Sequence, residues 1–583
     1  MQRGRTRAAR PPASALVNYS PVNRREFFRV AGSSVLAASV RIDDVAAAPG
    51  GSVGGAGTTL YNGIQLADPW PPRRRSLSDM PIAPPYLVDR PTVVPIDLGR
   101  QLFVDDFLIE ESSLVRTFHR AQYHPANPVL KPAAAWETRD PYADRTHTHP
   151  NPAAMPFSDG VFFDPQSRLF KMWYMGGYQE HTCYATSADG VHWIRPSLDA
   201  AGTNIVMTGH RDSSTVWIDQ LEIDAARRYK MASWHDYYLE QFISPDGVHW
   251  TKTGNSGYAG DRTTFFYNPF RNVWVFSLRS AQDAGARHRL YWETRDFVLG
   301  SHWQRSEPVL WVGADKLDPK RREYDISTEL YNLDCVAYES IMLGLFTIFR
   351  GERPQREKPN DVCVGYSRDG FHWARPDREA FLPVSEHAGD WNWANVQSAG
   401  GCCLIVGDLL HFYVSGRQGV VGTNDPGVCS TGLATLRRDG FVSMDHPGPQ
   451  RRIERVTASG AHALPPGTLI TRPVQFSGRH LFVNLAAPAG ELRVEVLDVD
   501  GNAIAPYTSA TCIPVHGDST SAHVAWTGAA DLAALSNRTV RFKFTVVKGS
   551  LYAFWVSADA SGASRGYVAA GGPGFSSPID NGR

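Results

Sequence analysis

The sequence predicts an all-β protein, a five-bladed β-propeller followed by a β-sandwich domain. Three observations predict it: a recurring turn, short apolar runs between the turns, and a later change to regular alternation. The turn reads SADGVHW from Ser187, SPDGVHW from Ser244 and SRDGFHW from Ser367, with a degenerate copy, TRDFVLGSHW, from Thr294. In such a turn Asp bonds nearby backbone and Gly accepts positive φ between two strands. The tryptophans that follow, Trp193, Trp250, Trp303 and Trp373, recur at a spacing slightly longer than a four-stranded blade repeat.

The runs between turns supply the strands of each blade. The first unit reads GVFFDPQSRL, FKMWYMGG and HTCYATSADG; the second STVWID, RYKMASWH and LEQFISPDG. The third reads RTTFFYNPFR, NVWVFSLRS and RLYWETRD; the fourth LYNLDCVAYES, IMLGLFTIFRG and DVCVGYSRDG. A fifth, without His-Trp, reads AGGCCLIVGD, LLHFYVSGR and GLATLRRDGFVSM. These units place the propeller at 120–450. RQLFVDDFLI, within an N-terminal extension at 49–119, is expected to close or flank it. After Pro449 the chain alternates apolar and polar residues, the mark of half-buried strands, and 460–557 reads as a β-sandwich. The Gly- and Ser-rich 558–583 reads as a flexible tail. On this architecture Asp189, Asp246 and Asp369 are structural turn residues, and His192, His249, His302 and His372 are packing residues.

Composition narrows the partners. With 59 basic and 59 acidic residues the charge is balanced, which gives no electrostatic footprint for nucleic acid. No apolar run in the body of the chain is long enough to span a membrane. The seven cysteines lack CxxC spacing and lie in apolar runs, so they read as buried thiols and not as a zinc site or disulfide framework. NRREFFRVAGSSVLAASV, with Arg24-Arg25 before a short apolar stretch and VAAAPG beyond it, resembles a twin-arginine export signal spanning 1–48. The resemblance implies an exported protein, periplasmic or extracellular, that folds before translocation. The sequence leaves the oligomeric state open.

In a propeller the innermost strands line the central depression, where ligands bind. The residues that begin those strands are Asp159, Asp212, Asp261 and Glu329, with Asp390 farther from the fifth. Carboxylates at equivalent places in successive blades converge, and a carboxylate pair is what glycosidic cleavage requires. Arg211, Arg262, Asn332 and Trp391 are the companion substrate-binding candidates. His147 and His149, at strand spacing on one face, lack a third ligand, so no metal is assigned. No cofactor is expected.

The architecture and two motifs resemble glycoside hydrolase families 32, 43 and 68. FSDGVFFDPQSRLFKMWY is similar to their first-blade element and points to Asp159. RDSSTVWID is similar to their Arg-Asp-Pro element, with Arg211 and Asp212 in register and Ser213 in place of Pro. Their general-acid Glu has no clear equivalent. The resemblance implies an exported glycoside hydrolase acting on a furanoside or related glycan, a carbohydrate being its partner. Asp159 would be nucleophile or base, Asp212 transition-state stabiliser, and Glu329 the acid, with Asp261 as substitute. Two alternatives stand beside it. The Ser-x-Asp-Gly-x-x-Trp turn resembles the Asp-box of sialidase propellers, one residue shorter, and a propeller can bind carbohydrate without catalysis.

Overall fold

The computed structural model describes residues 57–447 and 465–582, apart from 142, 144–146, 281–285, 325 and 352–354. The expected export signal and the junction around 450–460 lie outside the described residues.

Five antiparallel sheets form the five blades. Blade 1 holds Ala154–Asp164, Leu169–Gly176, His181–Ser187 and Ile205–Met207. Blade 2 holds Ser214–Ile218, Tyr229–His235, Tyr238–Ser244 and Thr251–Asn255. Blade 3 holds Thr264–Asn268, Val273–Ser280, His288–Thr294 and Val309–Gly313. Blade 4 is built on Glu329–Glu339, Ile341–Phe349 and Asp361–Ser367. Blade 5 runs from Asn395–Ser398 through Leu409–Arg417 to Cys429–Arg437.

Blade 5 is completed by an early segment, Gln122–Tyr123, which pairs with Ala434 and Thr435. A ring closed in this way has the two ends of its chain locked in one sheet. The innermost strand of blade 5 is Asn395–Ser398; the expected AGGCCLIVGD contributes only a short flank, Leu404–Val406. RQLFVDDFLI lies against blade 4, with Arg100 on Glu339 and Asp105 on Arg368, while its strand pairing is made elsewhere. Its Gln101–Leu102 pairs with Ala553 and Phe554, and Ile109–Ser112 pairs with Gly467–Thr471. Both belong to a further β domain.

The recurring turns lock the blades to one another. In each full copy the Asp carboxylate accepts two backbone N–H bonds and faces its own histidine, as with Asp246 Oδ1 from Val248 and His249, and His249 Nδ1 2.7 Å from Asp246 Oδ2. Burial is the largest single effect and pushes Asp246 up, but the hydrogen bonds from His249, Val248 and Ser244 together outweigh it and hold the carboxyl below its ordinary range, at about 2. The histidines were expected to pack. Those of the first two copies instead stand in solvent, His192 at 86% and His249 at 81% side-chain exposure, and only His372 is buried. Their role is to hold the aspartate.

Each turn is then gripped by the preceding blade. Tyr413 donates to Gly190 O, Trp173 to Gly247 O, Gln241 to Phe297 O and Trp311 to Phe371 O. Tyr338 completes the circle by donating to Asp439 in the fifth turn, the one without His-Trp. Gly247 shows why glycine is needed there: its φ is +82°, and an added Cβ would lie 2.5 Å from the Trp173 ring.

The further β domain is one nine-stranded sheet. Its central strand, His480–Leu497, pairs with Ser550–Ser557 along its first half and Arg541–Val547 along its second. Alternating burial along Arg541–Val547 follows from the apolar-polar alternation of RFKFTVV. Val115–Phe118 and Val442–Asp445 from either end of the propeller join this sheet, so the two domains share strands. At their junction Arg100 and Arg438 face Glu339, with Arg100 also on Asp439, all nearly solvent-free. The expected flexible tail is also built in. Tyr567–Val568 pairs with the end of the blade 4 inner strand, and Ala570 and Gly571 bond to blades 1 and 5. The segment covers the base of the ring. All seven cysteines are free and buried.

Candidate functional site

The site begins with a distortion in the innermost strand of blade 1. The register of Ala154–Asp164 against Leu169–Gly176 shifts between Met155 and Gly160, and Ser158 takes φ +65°. The extra residues bulge from the ladder and carry Phe157, Ser158 and Asp159 toward neighbouring blades. Ser158 Oγ accepts hydrogen bonds from Arg262 Nη2 at 3.1 Å and Asn332 Nδ2 at 3.0 Å. Asp159 is fully buried and paired with Arg211 Nη1 at 2.9 Å. Burial still lifts its carboxyl above the usual range, outweighing Arg211.

Blades 2 and 3 bring the accessible carboxylates. Asp212 precedes the blade 2 inner strand, partly exposed, with Oδ2 held by Gln179 Nε2 at 3.0 Å. Its Oδ1 accepts no hydrogen bond among the described residues. Burial, reinforced by the negative charge of Asp261, raises Asp212 to about 6, against the pull of Arg262, Arg211 and Arg417. Asp261 is more open, at 41% side-chain exposure, and lies 3.4 Å from Arg279. Ser213 bonds to the Asp261 carbonyl and so ties the two strand entries together.

The floor beneath them is cationic and aromatic. Arg262 lies 3.9 Å over the Phe157 ring, and burial lowers its pKa. It makes no ion pair among the described residues. Arg289 gives its hydrogen bonds to the Arg262 and Tyr331 carbonyls and to Asn332; burial, with Arg262 close by, lowers it to about 9. Asn332 also donates to Asp334, which takes a 2.6 Å bond from Ser398 and is raised by burial.

Two candidates fall elsewhere. Glu329 does begin the blade 4 inner strand, but its carboxylate is engaged by Arg287, through both the guanidinium at 2.6 Å and the backbone N–H. Arg287 in turn lies over the Tyr331 ring, which Arg262 also faces. Trp391 does not face a ligand space. Its ring lies on the sheet of blade 5, filling the room left by Gly416 and Gly432, with Tyr123 edge-on. Two glycines on adjacent strands make a slot for an indole, which explains the placement.

Sequence reasoning missed Asp334, Arg289, Arg417 and Glu357. Asp334 had a signal, since it sits two residues after Asn332 and shares its face of the strand. Arg417 and Glu357 form a buried pair at 2.8 Å from separate segments, and no local pattern joins them. His147 lies on Asp140 and His149 on Asp425, each at 2.9 Å, and the charge of His147 also acts on Asp425. Among the described residues no group of three or more His, Cys, Asp or Glu is arranged to hold a metal.

Fold and side chains together define a five-bladed β-propeller protein in which Asp159 is paired with Arg211, and Asp212 and Asp261 precede the inner strands of blades 2 and 3. No protein-family signature matches the chain, and no curated protein matches it in sequence. Similar solved structures include an N-acetylgalactosamine deacetylase from F. plautii, at 16% identity and TM-score 0.39 over 54% of this chain and 97% of that one. A fructofuranosidase from Schwanniomyces occidentalis matches at 9% identity and TM-score 0.32 over 75% and 98%. A thermostable family-43 glycoside hydrolase matches at 10% identity and TM-score 0.35 over 52% and 97%. At these identities the similarity is one of fold.

Proposed function

We propose that the protein is a glycoside hydrolase whose working groups are Asp212 and Asp261. The observation that carries this reading is the contrast between them. Asp212 is held near pKa 6 by burial and by Asp261, which suits a proton donor near neutral pH. Asp261, more exposed and beside Arg279, is the partner carboxylate, as base or nucleophile. Asp159, locked to Arg211, is reassigned from nucleophile to a positioning residue that fixes the guanidinium beside Asp212. A furanoside or related glycan remains the proposed substrate class.

The test is sugar release from a panel of aryl and natural glycosides by wild type, Asp212→Asn and Asp261→Asn. Asp212→Asn should retain more activity on aryl glycosides whose leaving group needs no proton than on natural ones. Asp261→Asn should lose both. Equal activity of all three proteins would refute the assignment.

A second reading is favoured by Arg262, Arg211 and Arg417, whose charges all act on Asp212. Arg211 and Arg417 are paired with Asp159 and Glu357, and Arg262, with no ion pair among the described residues, suits a sugar that itself carries a carboxylate, as in the sialidase-type alternative. A preference for uronate or sialate glycosides over neutral ones in the same panel would select it. Export through the Arg24-Arg25 segment is proposed on the sequence alone; replacing both with Lys should leave the protein in the cytoplasm.

A further inference from the structure

Beside the two carboxylates the chain builds an exposed aromatic shelf that the proposed chemistry does not use. The strands Tyr229–His235 and Tyr238–Ser244 of blade 2 are joined by a two-residue turn, with His235 paired to Tyr238. Strand direction puts this turn at the end of the blade that carries Asp212. Ser214 pairs with Ser233, and Trp234 N donates to Ser213 O at 2.9 Å.

Both turn residues lie in the left-handed region, Asp236 at φ +43° and Tyr237 at φ +70°. Tight hairpin turns of this kind favour Asn-Gly or Asp-Gly, because Gly has no Cβ to strain. Here a tyrosine occupies the position that suits glycine, and the residue is 60% exposed. A bulky residue in that conformation and in solvent gains little from packing, and such outliers concentrate at functional sites.

The ring of Tyr237 is nonetheless placed. It stacks on Tyr258 at 5.7 Å with an interplanar angle of 6°, and Trp234 meets it edge-on at 5.9 Å. Arg305 lies 4.2 Å from the Tyr258 ring centroid. The loop carrying Tyr258 is tied to the hairpin by Ala259 N on Tyr237 O at 2.8 Å and by Trp234 Nε1 on Ala259 O at 3.0 Å. Two residues beyond Ala259 the same loop delivers Asp261. The shelf is therefore continuous with both carboxylate-bearing strand entries.

We infer that the Trp234–Tyr237–Tyr258 cluster is a distal subsite that stacks a sugar ring of an oligosaccharide or polysaccharide reaching into the propeller centre. Flat aromatic faces flanked by hydrogen-bonding groups suit a sugar, which has an apolar C–H face and a polar rim; the flanking groups here are Asp236, His235 and Arg305. The inference rests on the glycosidase reading for its orientation, since the bond to be cut would lie at Asp212 and Asp261. It extends that reading from the bond that is cut to the chain that carries it.

Tyr237→Gly tests it, because relief of backbone strain and loss of the ring have opposite consequences. The probes are arabinan, fructan and β-1,3-galactan oligosaccharides of two to six units, titrated against tryptophan and tyrosine fluorescence. Hydrolysis of the same oligosaccharides and of small aryl glycosides is followed in parallel. The variant should melt at or above the wild-type temperature. For at least one series it should bind the longer members about two- to tenfold more weakly, the range of a lost ring-stacking contact. Aryl glycoside turnover should be unchanged.

Equal affinity of variant and wild type for every chain length would overturn the subsite, as would wild-type binding to none of the probes. A marked fall in melting temperature would overturn the strain argument and give Tyr237 a structural role. Weakened binding without hydrolysis by wild type would keep the subsite and reject the glycosidase reading. Hydrolysis with length-independent binding would do the reverse.

Discussion

Asp212→Asn should make the protein more stable at neutral pH while removing its proposed acid. Asp212 has a pKa of about 6 in the folded protein and an ordinary carboxylate value of 3.8 when unfolded. Between those values the native state binds the proton more tightly, so stability falls as pH rises through the window and the full cost is present above about pH 6. Two pKa units correspond to about 3 kcal/mol. Asparagine cannot ionise, keeps an oxygen for the Gln179 hydrogen bond, and presents an amide to Asp261. Urea unfolding of both proteins at pH 4, 5, 6 and 7.5 reads the difference. The gain of the variant should be near zero at pH 4 and grow to about 2–3 kcal/mol at pH 7.5. A difference independent of pH, or a variant less stable at pH 7.5, would refute the reasoning about Asp212 and Asp261.

Three further outcomes follow from the fold. Gly247→Ala should destabilise by about 1–3 kcal/mol in thermal melts, since it strains a positive φ and drives a methyl into Trp173. Arg100→Met leaves Glu339 and Asp439 short of a cation in a nearly solvent-free junction, and should cost about 3–5 kcal/mol in urea unfolding. Glu329→Gln, at a carboxylate already committed to Arg287, should change kcat/KM on aryl and natural glycosides by less than about threefold, under 1 kcal/mol.

Blade number was readable in the sequence because each blade carries its own local signal. The Ser-x-Asp-Gly turn and the apolar runs between turns need only neighbouring residues to form, so periodicity reveals them. The same locality picked out Asp159, within the inner strand of blade 1, and Asp212 and Asp261, just before those of blades 2 and 3. Glu329 begins the inner strand of blade 4 and still falls outside the pair, because Arg287, just before a strand of blade 3, claims its carboxylate. Trp391 is a substrate-binding candidate by its place in the sequence, while its ring fills a slot formed by Gly416 and Gly432. The histidines after the turns were legible as a repeat but not as clamps, since only geometry shows Nδ1 on the aspartate.

What the sequence determined by itself is the set of local units: five blades, their turns, the alternation of the later strands, and the carboxylates at strand entries. What only the tertiary structure decided is who meets whom across long separations. Gln122–Tyr123 closes blade 5, the chain from 567 onward covers the base, and Arg417 finds Glu357. It also decided protonation. Asp159, Asp212 and Asp261 are the same residue type in similar strand contexts, yet one is buried against Arg211, one is raised to about 6, and one stays open to solvent. Burial and neighbouring charge set the cost of an ionised carboxylate, and both are properties of the assembled ring.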